Sequence, residues 1–183
     1  MADVRNNESD DFDYVIVGGG AAGAILASRL SEDGQSTVCV LEAGPADWHP
    51  FLHIPAGFIK VLFNPDFTWQ FSSEPNPLTN NRRIPLPQGR TLGGSTSING
   101  LVYNRGQRED YDEWAALGNR GWGYAQVLPY FKRNERRTGS GDDTYRGRVG
   151  PMPVSDIEWI QPICERFIAG AQGLGMPRNP DYN

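Results

Sequence analysis

The sequence predicts an α/β fold built on a parallel βαβ unit, and three observations carry that prediction. Tyr14-Val15-Ile16-Val17 is a short apolar run rich in β-branched residues, of the kind that forms a strand buried on both faces. Gly18-x-Gly20-x-x-Gly23 follows at once and opens Ala21 to Leu30, where Ile25, Leu26 and Leu30 fall at helical spacing before Asp33-Gly34 turns the chain. A second apolar run, Val38 to Leu41, ends on Glu42, nineteen residues beyond Gly23. Strand, glycine turn, helix, second strand and terminal acid in this order are the fingerprint of a dinucleotide-binding unit.

Each residue type in the fingerprint has a physical reason. Gly18 permits the tight turn out of the strand, and Gly20 lets a pyrophosphate approach the backbone with no Cβ in the way. Gly23 allows the helix to pack close to the strand. The N–H groups of Ala21, Ala22 and Gly23 have no acceptor within the helix and sit at its positive end, facing the phosphates. Glu42 is placed to accept hydrogen bonds from an adenosine ribose, and its charge repels a 2′-phosphate. The unit alone suits FAD and NAD equally.

A chain of 183 residues buries roughly 70% of the surface of its unfolded form, enough for one core and one domain. A net charge of −5 is the wrong sign for a nucleic-acid partner or an anionic membrane. Arg133 to Arg137 reads as the solvated end of a helix. Cys39 and Cys164 lack a framework spacing and read as core thiols of a reducing compartment. No apolar run approaches the 18 residues of a membrane span, and the polar, acidic start has no secretory pattern, so a cytoplasmic protein is expected.

In chain order, Met1 to Asp11 is expected to be a disordered tail. Residues 45–87 form a long irregular excursion. It holds more than half of the fourteen prolines, along with Trp48, Phe51, Phe58, Phe63, Phe67, Trp69 and Phe71. Proline this dense forbids long helices, and aromatics this dense forbid disorder. A short helix near Ala56 to Leu62 and a strand at Thr68 to Ser72 fit within it. His49 and His53 lie in the same stretch. They read as surface or capping histidines rather than as a base or metal pair, because no Asp, Glu or Cys recurs at ligand spacing.

A second glycine loop, Gly89-Arg90-Thr91-Leu92-Gly93-Gly94-Ser95, runs on to Asn99-Gly100-Leu101-Val102. Gly93-Gly94 allows unusual φ values, and Ser95 is placed to cap a short helix, so the loop suits a phosphate or the flat face of a ring. Gln107 to Leu117 is an amphipathic helix carrying Tyr111, Trp114 and Leu117, with acids on its early turns and Gly118 as its stop. Tyr124 to Arg137 is a second helical pattern, kinked or restarted at Pro129. Thr138 to Gly150 is loop, and Pro151 to Ser155 an edge strand. Ile160 to Leu174 is helical again, with Ile163, Phe167, Ala171 and Leu174 on one face.

At the second glycine loop the sequence resembles the glucose–methanol–choline (GMC) family of FAD-dependent oxidoreductases. The matching pieces are Gly18 to Gly23, Leu41-Glu42-Ala43-Gly44, His53-Ile54-Pro55-Ala56-Gly57, Gly89 to Gly100, Tyr103-Asn104-Arg105-Gly106, Asp110 to Trp114, Gly121-Trp122 and Asp181-Tyr182-Asn183. They cover nearly the whole chain from Phe12 onward. The resemblance implies the N-terminal part of a three-layer, Rossmann-like FAD/NAD(P)-binding domain of GMC type over residues 12–183, with the substrate domain largely absent.

It also implies FAD as cofactor and oxidation of a small-molecule alcohol to a carbonyl by hydride transfer to flavin N5. By position, Gly18, Gly20, Ala21, Ala22 and Gly23 serve the pyrophosphate, and Glu42 with Ala43 the adenosine ribose. Arg90, Gly93, Gly94, Ser95, Asn99, Gly100, Leu101 and Val102 lie along the rest of the cofactor. Ile98 stands where some members attach FAD through a histidine, so the flavin is expected to be non-covalent. The family's catalytic histidine belongs to a C-terminal half with no counterpart here, and neither His49 nor His53 aligns with it. No catalytic residue is therefore assigned. A complementary half or second chain is expected, and the chain alone is expected to be inactive. Alternatives of other classes are a hydroxynitrile-lyase-type FAD enzyme of the same family and a non-catalytic flavin-binding fragment.

Overall fold

The computed structural model describes residues 11–183. The expected tail at Met1 to Asp11 lies outside them, Asp11 apart. The described residues fall into two compact units, one ending at Val102 and the other running from Tyr103 to Asn183.

The first unit opens with the βαβ motif. Strand β1 (Tyr14–Val17) pairs in parallel with β2 (Val38–Leu41), Tyr14 opposite Val38 and Val17 opposite Leu41, and helix α1 (Ala21–Leu30) connects them. A side-chain clamp fixes the register at the start of β1. Thr37 donates from its N–H and its hydroxyl to Asp13 Oδ2, at 2.7 and 2.9 Å, while the Asp13 N–H donates to Thr37 Oγ1. The sequence predicts burial of β1 on both faces, and here the structure differs: Tyr14, Val15 and Val17 are exposed, Val17 at 85%. Among the described residues β1 and β2 form a two-stranded sheet, so no further strand flanks β1.

The excursion folds as short helices α2 (Pro50–His53) and α3 (Phe58–Val61), with a 3-10 turn, Pro55–Gly57, between them. A β-hairpin of β3 (Thr68–Ser72) and β4 (Pro85–Gly89) follows. The core of this unit is Val61, Phe67 and Ile98, with Leu52 and Leu62 packed against it.

The second unit begins with α4 (Arg108–Ala116), whose start is fixed by the Gln107 N–H donating to Asp110 Oδ2. Helix α5 (Tyr124–Asn134) runs through Pro129 without a break. Tyr111 joins the two helices, its ring centroid 5.6 Å from Phe131 and 6.2 Å from Tyr124, and Asp112 accepts from the Tyr124 N–H at 2.9 Å. Beyond α5 the expectation of continued helix fails. Glu135–Arg137 is a strand, β5, paired in parallel with β6 (Met152–Val154). Nor is this the solvated end of a helix: Glu135 and Arg137 are buried, and Arg105 and Arg146 meet the Glu135 carboxylate at 2.5 and 3.0 Å. Arg146 also pairs with Asp181, and the Arg105 N–H donates to Asn183 Oδ1. Buried charge survives only when paired, and the pairing here ties β5 to the far end of the chain. Helix α6 (Pro162–Gly173) leaves Ile163 and Phe167 exposed. Cys164, expected in the core, is exposed as well, and Cys39 is half-buried.

Candidate functional site: a cradle of two glycine loops

The site lies in the first unit, where three backbone segments distant in sequence come within contact of one another. Gly18 leaves β1 at φ +98°, and its N–H donates to Leu41 O at 2.7 Å. Gly20 is the N-cap of α1 and brings no side chain to the first-turn amides of Ala21, Ala22 and Gly23. At Gly23 an added Cβ would sit 1.9 Å from Gly18 O, so the strand, turn and helix pack with no room for a methyl.

The second loop is set directly against the first. Gly93 and Gly94 have φ of +90° and +55°, the region that glycine enters without strain. The Gly93 N–H donates to Gly19 O at 2.8 Å, and a Cβ on Gly94 would lie 2.8 Å from Gly20 Cα. The segment after β2 completes the cradle. A Cβ on Gly44 would fall 2.1 Å from the carbonyl of Arg90, and the Leu92 N–H donates to Pro45 O at 3.1 Å.

The structure gives Glu42 a local task beside the expected ribose contact. Its two carboxylate oxygens accept from the N–H groups of Gly19 and Gly44, at 2.7 and 2.9 Å, and so staple the first glycine turn to the segment beyond β2. Ala43 lies between these anchored residues. The Arg90 guanidinium donates to Asp66 O at 3.3 Å and rests 5.1 Å from the centroid of the Trp69 ring. Ser95 corrects its expected role. The cap of the 3-10 turn Gly94–Ser97 is Gly93, whereas the Ser95 hydroxyl accepts from the Gly89 N–H and donates to Gln88 Oε1.

Asn99 Oδ1 accepts from the Leu101 N–H, a local turn that holds Leu101 at φ +60°. Leu101 and Val102 are exposed. The structure therefore brings Gly18 to Gly23, Glu42 to Gly44 and Gly89 to Ser95 together. Among the described residues no hydrogen bond joins Asn99, Gly100, Leu101 or Val102 to the first turn.

Thr91 and the Pro45 carbonyl are participants that sequence reasoning missed. The Thr91 hydroxyl donates to Pro45 O at 2.9 Å across 46 positions of sequence. The histidines fit the surface or capping reading: His49 caps α2, its Nδ1 accepting from the Phe51 N–H, and His53 is exposed with Nε2 against Asp47 O. Among the described residues no cluster of His, Cys, Asp or Glu is suited to a metal ion.

Residues 12–183 match the family described as GMC oxidoreductase. The chain belongs to that family. An oxygen-dependent choline dehydrogenase of Rhizobium etli is 46% identical over 171 residues, covering 93% of this chain and 31% of the relative. Among solved structures, pyridoxine 4-oxidase from Mesorbium loti superposes with a TM-score of 0.84 at 34% identity, over 92% of this chain and 33% of that one. An FAD-dependent oxidoreductase from Chaetomium thermophilum does so at 0.77 and 34%, over 91% and 30%. This GMC chain thus spans 31% of the length of the choline dehydrogenase it matches. Its fold is that of the N-terminal FAD-binding domain of GMC oxidoreductases, and its cofactor is FAD.

The cradle fits that cofactor on its own geometry. An uncapped helix N-terminus of ten residues is faced by two glycine turns. A Cβ at Gly20 would meet only Gly94 Cα, at 3.8 Å, so a polyanion reaches bare backbone there.

Proposed function

We propose that this GMC chain supplies the ADP- and flavin-binding front end of an enzyme that oxidises an alcohol to a carbonyl. The observation that carries the reading is the bond from the Gly93 N–H to Gly19 O, which sets the second glycine loop beside the N-terminus of α1. With the two loops in that register, the amides of Ala21, Ala22 and Gly23 hold the pyrophosphate, and Gly93 and Gly94 flank it without side chains. Glu42 takes the ribose hydroxyls with lone pairs left over from Gly19 and Gly44. Arg90, Ser95 and the run Asn99 to Val102 line the remainder of the cofactor. FAD held there would supply, at flavin N5, the acceptor for the hydride that leaves the alcohol carbon. Ile98, buried in the core with Val61 and Phe67, offers no nucleophile for a covalent link, which supports non-covalent attachment.

General-base removal of the alcohol proton needs a positioned group near the substrate. The two histidines of the chain are engaged within the excursion, His49 by the Phe51 N–H and His53 at Asp47 O. The base is therefore assigned to polypeptide beyond this chain, a complementary half or second chain. The names of the relatives, a choline dehydrogenase and a pyridoxine oxidase, support oxidation of a small polar alcohol. Two free thiols and a net charge of −5 suit a cytoplasmic setting with no nucleic-acid partner.

The test is an FAD titration of the chain followed by anaerobic mixing with choline. The flavin is expected to bind with a shifted visible spectrum and to remain oxidised, its reduction by choline no faster than that of free flavin. Absence of FAD binding would refute the cradle, and rapid bleaching by choline would refute the assignment of the base to another segment.

A further inference from the structure

The cradle contains a residue with no access to any ligand. Thr91 is 0% exposed, in a loop whose neighbours Arg90 and Leu92 are not buried. Its hydroxyl donates to Pro45 O at 2.9 Å, and the Leu92 N–H donates to the same carbonyl at 3.1 Å. The Thr91 carbonyl accepts from the Gly94 N–H at 2.7 Å, closing the turn in which Gly93 and Gly94 take positive φ. One step further along, the Gly93 N–H reaches Gly19 O. A single buried side chain thus connects the segment after β2 to the second glycine loop, and through it to the first glycine turn. Backbone contact leaves little slack. A Cβ on Gly44 would collide with Arg90, and one on Gly89 would lie 2.2 Å from the carbonyl of Gly94.

From this geometry we infer that Thr91 is a positioning residue for FAD: it sets the register of Gly93 and Gly94 against the Gly18–Gly23 turn without touching the cofactor. The inference rests on the cradle being the FAD site. Replacing the hydroxyl by a methyl, as in Thr91→Val, puts carbon where oxygen now lies at hydrogen-bond distance from Pro45 O. Carbon and oxygen keep farther apart than 2.9 Å, so the loop has to move by several tenths of an ångström. Thr91→Ala removes the bond and adds no bulk. Thr91→Ser keeps it. A displacement of about half an ångström is enough to spoil a preorganised site.

The experiment measures the FAD dissociation constant of the intact protein and of these three variants by flavin fluorescence. A thermal melt of each variant confirms that the titrations are done well below unfolding. Thr91→Val and Thr91→Ala are expected to weaken FAD about tenfold or more, and Thr91→Ser to restore it to within about threefold. Melts that fall while FAD affinity stays within about twofold would give Thr91 a structural role alone and overturn the assignment. Loss of the fold in both deletion variants with no rescue by Thr91→Ser would overturn it equally. Wild-type protein that binds no FAD would refute the cradle itself, a result distinct from equal binding by wild type and variants.

Discussion

A methyl group is a sufficient probe of the first glycine turn. At Gly23 the new Cβ would fall 1.9 Å from the carbonyl oxygen of Gly18, a backbone atom that cannot swing aside. Gly23→Ala is therefore expected to cost about 1–3 kcal/mol by forced overpacking, and to lower FAD affinity because the turn that presents the α1 amides has to open. Gly170→Ala is the matched control. It lies inside α6, a Cβ there would meet nothing within 4 Å, and the gain in helix propensity is about 0.5–1 kcal/mol. Thermal melts and FAD titrations of the pair check both signs, and a Gly23→Ala protein as stable as wild type would contradict the close packing. The glycines of the first turn were legible in the sequence because their spacing is itself the fingerprint, and at Gly23 only glycine admits the second backbone. Thr91 was not legible. Its partner, the Pro45 carbonyl, lies 46 residues away, and a buried threonine has no local signature. The same holds for Glu42, whose position announced a ribose contact but whose bonds to Gly19 and Gly44 depend on how the turn closes.

At the scale of elements, the sequence located β1, α1, β2 and β3, because each has an apolar period bounded by glycine or polar residues. Strand β4 escaped it for a definite reason. Pro85 and Pro87 demote a strand reading, yet both occupy non-hydrogen-bonded pairs of the hairpin, opposite Ser72 and Gln70. The neighbouring pairs carry the ladder, with Ser73 N–H donating to Ile84 O and Arg90 N–H to Phe67 O. Strand β5 was hidden differently, since Glu135 to Arg137 continues a polar helical pattern, and Glu135 is buried through ion pairs with Arg105 and Arg146 and a bond from the Gly147 N–H. The clamp at the head of the βαβ unit gives a testable pH dependence. The Thr37 N–H, and secondarily its hydroxyl, hold the Asp13 carboxyl below its ordinary value. A carboxylate depressed on folding contributes its full stabilisation above its unfolded pKa and loses it as pH falls through the folded value. The acid limb of the stability profile, below the ordinary carboxylate range, is therefore expected to flatten in Asp13→Asn, whose amide oxygen still accepts from Thr37. Near neutral pH the melting temperature of Asp13→Asn is expected to lie slightly below wild type, by the charge-linked part that wild type loses only in acid. An Asp13→Asn profile that overlays wild type through the acid limb would remove the clamp as a source of acid sensitivity.

At the scale of the whole molecule, the apolar surface that this chain leaves open bears directly on the proposed complementary segment. Parallel strands occur almost only where both faces are covered, yet Val15 and Val17 of β1 and Val40 and Leu41 of β2 are exposed. In the other unit α6 turns Ile163 and Phe167 outward, and Ile157, Trp159 and Ile160 before it are open as well. Each buried aliphatic or aromatic side chain is worth about 1.5–3 kcal/mol relative to exposure, so these positions represent stabilisation still to be gained. Patches of this kind drive association when nothing covers them. The chain by itself is accordingly expected to bind the dye ANS strongly and to elute from a sizing column ahead of a 20.3 kDa monomer. Val17→Lys should reduce both effects: the site is 85% exposed, so the substitution costs the existing fold little while charging a strand face and edge open to pairing. A monomeric chain that melts cooperatively and ignores ANS would show that α1, the excursion and the paired charges around Glu135 suffice on their own. The candidate FAD cradle would then be a self-standing binding module, and the case for a complementary segment would rest on the proposed assignment of the base alone.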